Sequence, residues 1–118
     1  MWYSKQDAQT YLNQALALSA TGREQDWEIE LSDPNRVAEF VEFYNDHDLS
    51  KDQKQTLMSL IIASFEDAMH QNIFDNTSWQ LARKIIMEEF KLHQDVIKEW
   101  LGEESNEFLI SEHLRDCW

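Results

Sequence analysis

The sequence predicts an all-α fold: one domain over residues 1–118, built as a bundle of about four to five helices around a central apolar helix at about 51–72. Three observations carry this expectation. Leu57–Met69, LMSLIIASFEDAM, is apolar at Leu57, Met58, Leu60, Ile61, Ile62, Ala63, Phe65, Ala68 and Met69, leaving Ser59, Ser64, Glu66, Asp67 and the following His70 as a polar minority. At helical spacing such a segment is apolar most of the way round and must be covered on several sides. Two glycines and one proline in the chain supply too few tight corners for a β-sandwich or barrel.

The remaining elements follow in order. Ser4 stands three residues before Asp7, a weakened capping box. Ala8, Tyr11, Leu12, Ala15 and Leu16 then recur at amphipathic spacing, predicting a helix over about 5–19 that Thr21-Gly22 ends. Trp27, Ile29 and Leu31 alternate with Asp26, Glu28 and Glu30, which predicts a short extended segment near 26–31, with Phe108–Ile110 as its candidate partner. Asp33-Pro34 is a helix start, and Val37, Phe40, Val41 and Tyr44 form the buried stripe that follows. Ser50-Lys51-Asp52-Gln53 is a capping box opening the central helix. Thr77-x-x-Gln80 repeats that signature. From Trp79, the positions Ala82, Ile86, Phe90, Val96, Ile97 and Trp100 trace a stripe compatible with one helix over 79–101, about 34 Å long. The alternative is two helices with a break near Lys91–His93. Gly102 ends this element, Glu103–Glu107 reads as an acidic loop, and Ser111 caps a short last helix.

Charge is the compositional outlier: 23 acids against 10 bases, a formal net of −13. Glu24, Asp26, Glu28, Glu30, Asp33, Glu39, Glu42, Asp46 and Asp48 face Arg36 alone, so eight of the thirteen net negative charges fall within 25 residues. Direct binding to nucleic-acid phosphate is disfavoured, because that needs clustered Lys and Arg. The single cysteine, Cys117, makes no internal disulfide. The start, MWYSKQDAQT, lacks the apolar core of a signal peptide, and no apolar run is long enough for a bilayer, so a cytoplasmic protein off the membrane is expected.

No residue pattern amounts to a named chemistry. Asp67-x-x-His70 has half of the spacing used in di-metal bundles, but Phe90 stands three before His93, so no metal site is expected. Glu89 and His93, four apart, are expected to meet as a surface pair. His93 falls on an apolar stripe, where a histidine is more often a hydrogen-bonded core residue than a catalyst. His113 and Cys117 have the spacing of a base and thiolate, but a thiol so near a helix end lacks the fixed setting catalysis needs. His47-Asp48 carries no weight as a motif. Gly22 and Gly102 are too far apart for a phosphate loop, and no cofactor is expected.

The acidic concentration is therefore the candidate site: Glu24, Asp26, Glu28, Glu30, Glu39, Glu42 and Asp46. On an extended segment Asp26, Glu28 and Glu30 would point one way, about 6.7 Å apart. Glu39, Glu42 and Asp46 would line a second row on the next helix. Such rows suit a basic protein partner, with carboxylates standing in for phosphates if that partner binds nucleic acid. A solvated, solubilising face is the competing explanation. In size and charge alone, the chain resembles the small acidic helical immunity proteins of bacterial toxin systems, which neutralise basic nucleases. The expectation is a non-enzymatic, immunity-like binder. The alternatives are a self-associating subunit, a homodimer using Trp2, Tyr3 and Trp118, and, third, a small helical enzyme.

Overall fold

A computed structural model describes residues 2–101 and 108–117; the predicted loop at 103–107, its start at Gly102 and the aromatic at Trp118 lie outside the described residues. The fold is all-α, and the described residues contain seven helices: α1 (Gln6–Ala15), α2 (Trp27–Glu30), α3 (Val37–Asp46), α4 (Lys51–His70), α5 (Asn76–Glu88), α6 (Phe90–Leu101) and α7 (Ser111–Arg115).

Helix α4 opens on the predicted capping box. Ser50 Oγ accepts from the Gln53 N–H at 3.2 Å, and Gln53 Oε1 accepts from the Ser50 N–H at 2.9 Å. Its 20 residues span about 30 Å, nearly the molecule's longest dimension of 33 Å. Helices α1, α2, α3 and α6 all pack on it, α5 bridges α3 and α6, and α7 rests on α6. Every residue from Thr56 to Glu66 is buried. Ser59, Ser64 and Glu66 are therefore interior, and of the polar minority only Asp67, in part, and His70 reach solvent. The Ser59 hydroxyl donates to the Thr56 carbonyl at 2.6 Å, and Ser64 Oγ accepts from the Asp33 N–H at 3.0 Å. Small hydroxyls can turn to their own backbone or to a neighbouring loop, so they enter a core at little cost.

Glu66 is the costlier case, a buried carboxylate on the same helix. Its Oε1 accepts from the Ile110 N–H at 2.8 Å, and its Oε2 from the Leu109 N–H at 3.3 Å and from His70 Nε2 at 2.9 Å. It thus satisfies backbone donors at the start of α7 and fastens the C-terminal segment to the central helix. Ser111, expected as a cap, instead donates its hydroxyl to the Trp100 carbonyl at 2.6 Å and accepts from the Phe108 N–H.

The segment expected to be extended is a helical turn. The Ile29 and Glu30 N–H groups both donate to the Asp26 carbonyl, so the backbone is satisfied locally and needs no strand partner. Trp27 anchors it, 2 % exposed and donating its indole N–H to Asn13 Oδ1, and Leu31 packs partly buried on the core, whereas Ile29 stands 54 % exposed. The apolar alternation therefore reflects one buried side chain and not a half-buried strand. Phe108–Ile110 is spoken for by Glu66 and Ser111.

Other boundaries moved for equally local reasons. Helix α1 ends at Ala15 in a Schellman turn, with Leu18 N–H on Asn13 O, Ala17 N–H on Gln14 O and Ala17 at φ 50°. Gly22, at φ 84°, serves a later bend. The Asp33-Pro34 pair makes a turn, Asp33 Oδ1 accepting from the Asn35 N–H, and α3 begins only at Val37. Asp75, not Thr77, caps α5, accepting from the Thr77 N–H and the Ser78 hydroxyl. The 79–101 stripe belongs to two helices that break at Glu89, two residues before the expected range, where φ is −122° and ψ 39°.

Candidate functional site

The seven acids singled out in the sequence do not form two parallel rows. Glu24 is turned back on its own loop, accepting from the Thr21 hydroxyl, the Thr21 N–H and the Gly22 N–H. Glu30 folds over α2 to accept from the Asp26 N–H at 3.0 Å. The helical turn sends Glu28 elsewhere, towards Glu99 of α6. On α3, Glu39 is held by Arg36 through two contacts of 2.9 and 2.6 Å. Glu42 and Asp46 are exposed.

What these carboxylates share is a lack of compensation. Among the described residues, Arg36–Glu39 is the one ion pair made by any acid between Glu24 and Asp48. Three of the chain's six lysines pair elsewhere: Lys5 with Asp52, Lys54 with Glu89 and Lys84 with Glu88. The charge seen in the sequence is therefore not cancelled by the fold.

One part of this surface is concave. A cleft of about 270 Å³ opens between the N-terminal segment, α2 and the C-terminal half of α6. Trp2, Trp100 and Phe108 line it together with Asp26, Glu28 and Glu99. The Trp100 and Phe108 rings lie 4.7 Å apart at a tilt of 52°. Glu99 Oε1 accepts from the Trp2 N–H at 2.8 Å, which fixes the N-terminal wall. Burial, with Asp26 and Glu99 nearby and only its own backbone N–H opposing them, pushes the Glu28 carboxyl up. Glu99 gave no signal in the sequence, because its relation to Glu28 depends on how α2 and α6 meet.

A second polar cluster lies inside the bundle. The Tyr44 hydroxyl stands 2.8 Å from Glu89 Oε1 and 2.7 Å from His93 Nε2, and Lys54 Nζ donates to Glu89 Oε2 at 2.8 Å. Burial pushes the Glu89 carboxyl up, but Lys54 and Tyr44 outweigh it and hold the group below its usual range. An ionised Glu89 accepts the hydrogen bond of the Tyr44 hydroxyl, so His93 must donate from Nε2 to the tyrosine oxygen. That leaves Nδ1 as a bare acceptor, buried without a partner. Burial lowers His93 from 6.5 to about 4. Glu89 and His93 thus meet through Tyr44 in the interior and not as the expected surface pair. The ring is wholly buried, as expected of a core histidine.

The other histidines have plain surroundings. His70 binds Glu66 and not Asp67, while Asp67 accepts from the Ser32 hydroxyl. His47 stacks on Phe43 at 3.8 Å. His113 meets Phe74 and Trp79 edge-on, and the Cys117 thiol, pushed up by burial, donates to the His113 carbonyl. Among the described residues no group of three His, Cys, Asp or Glu side chains is placed to hold a metal ion, and no helix is long and apolar enough to cross a membrane. No protein-family model, curated protein or solved structure matches the chain.

Proposed function

We propose that this chain is a non-enzymatic, cytoplasmic protein that binds a basic protein partner through its Glu24–Asp46 surface. The observation that carries the reading is the uncompensated charge: of the acids in that stretch, Glu39 alone meets a cation among the described residues. Carboxylates left without a cation beside them set up a field that steers a basic protein and fixes its orientation. The immunity-like or nucleic-acid-mimicking roles are the specific forms this activity would take.

Association with an immobilised decaarginine peptide tests it. The on-rate should be high at low salt and fall steeply towards about 0.15 M, where the screening length is about 8 Å. Absence of association at low salt, or a rate indifferent to salt, would overturn the reading.

Self-association is the second reading, favoured by apolar side chains at one edge. Tyr3, Ile29 and Phe108 line the same cleft and are 75, 54 and 38 % exposed. Solution mass decides: a dimer at micromolar concentration supports this reading, and a monomer supports the first.

A further inference from the structure

We propose that the cleft between the N-terminal segment, α2 and α6 is a socket for one guanidinium group, an arginine side chain presented by the basic partner. This rests on the reading of the acidic surface given above and names the group that the surface would grip.

Size is the first argument. At about 270 Å³ the cleft sits just under the usual range of small-molecule pockets, which begins at about 300 Å³. That suits one side chain and is small for a nucleotide cofactor. Its lining combines flat apolar walls at Trp2, Trp100 and Phe108 with the carboxylates of Asp26, Glu28 and Glu99. Aromatic faces attract cations, and a planar guanidinium stacks on them while sharing its N–H groups between carboxylate oxygens. An ammonium is more strongly hydrated and loses more on entering such a site.

The second argument is what the carboxylates lack. Among the described residues, Glu99 gives only Oε1 to the protein, to the Trp2 N–H, and Glu28 meets nothing but its own backbone N–H. No Lys or Arg of the described residues pairs with either of them. Three like charges gathered in a half-enclosed, aromatic-lined space repel one another, and a cation seated between them relieves that repulsion.

The probe is Nα-acetyl-arginine amide, whose one charge is the guanidinium, titrated into the intact protein and followed through the indole N–H resonances. Saturable shifts at Trp2 and Trp100 are expected, with none from the uncharged citrulline analogue. Glu28→Gln with Glu99→Gln should weaken binding about tenfold, and Glu112→Gln with Asp116→Asn, exposed and outside the acidic surface, should leave it unchanged. Should the first pair disturb the fold, as read by circular dichroism, Trp2→Ala removes one wall and should weaken binding as well. Absence of saturation, equal shifts from citrulline, or equal losses from the two carboxylate pairs would overturn the socket. Equal affinity for the lysine amide would overturn the assignment to arginine. The amide carries no protein surface. If it binds while decaarginine shows no salt-sensitive association, the surface reading fails and the socket stands; the reverse result fails the socket alone.

Discussion

His93 shows how much of the chemistry hangs on single side chains. Its Nε2–H donates to Tyr44, Tyr44 donates to Glu89, and Lys54 completes the line across α3, α4 and the α5–α6 break. Folded, His93 stays neutral down to about pH 4; unfolded, it takes a proton below about pH 6.5. Between those values the unfolded chain holds more protons, so stability is complete above about 6.5 and drains away as pH falls towards 4. The loss from this group should be on the order of 3 kcal/mol. Urea unfolding at a series of pH values checks it: His93→Gln should flatten the slope in that window, and an unchanged slope would show that His93 is not the group responsible. Ala17 offers a test of opposite sign. An L-residue at φ 50° is strained by about 1–2 kcal/mol, so Ala17→Gly should stabilise the protein by about 1 kcal/mol in the same assay. Neither effect is legible in the sequence. His93 could be placed on an apolar stripe, but its partners come from elements up to 49 residues away, and the Schellman turn at Ala17 precedes the glycine that seemed to mark the helix end.

Among the elements, α4 was the most legible and α2 the least. A capping box followed by a long apolar run leaves a helix little alternative, because both the start signal and the burial demand point the same way. Phe65 is fully buried in the middle of it, edge-on to Trp79 with ring centroids 5.4 Å apart. Phe65→Ala should cost about 3–5 kcal/mol, measured by the shift of the urea midpoint; a loss under 1 kcal/mol would mean that the core does not rest on this helix. What the pattern misjudged was the helix's far side, where Ser59, Ser64 and Glu66 are buried because neighbouring loops and their own turns satisfy them. In α2 the alternation of Trp27, Ile29 and Leu31 mimicked a strand over too few residues for the period to discriminate. That difference moved the candidate site, since a helical turn separates Glu28 from Glu30 and sends it towards α6. The break at Glu89 has no glycine or proline to announce it. It coincides with the carboxylate that Lys54 and Tyr44 both hold.

Taken as a whole, the molecule is a helical bundle carrying a net charge of −13, and that charge acts over distances no single contact describes. Self-repulsion in the folded state should be relieved by salt, so the Tm should rise between very low ionic strength and about 0.15 M NaCl. A falling curve would mean that the four lysine and arginine ion pairs among the described residues outweigh the repulsion. The acidic stretch was visible in the sequence because charge needs no fold to be counted; its arrangement was not, because side-chain direction depends on local backbone. Whether the acidity is a site or only a means of staying dissolved turns on place. The most direct measurement is the on-rate for decaarginine at low salt, compared between two triple variants of equal charge. Glu30→Gln, Glu42→Gln and Asp46→Asn remove three exposed carboxylates from the proposed surface and spare Glu39, whose loss would release Arg36. Asp95→Asn, Glu112→Gln and Asp116→Asn remove three exposed carboxylates elsewhere. A local site requires the first triple to slow association about tenfold and the second to leave it nearly unchanged; equal slowing by both would mean that net charge alone does the steering and that the Glu24–Asp46 surface is not a binding site.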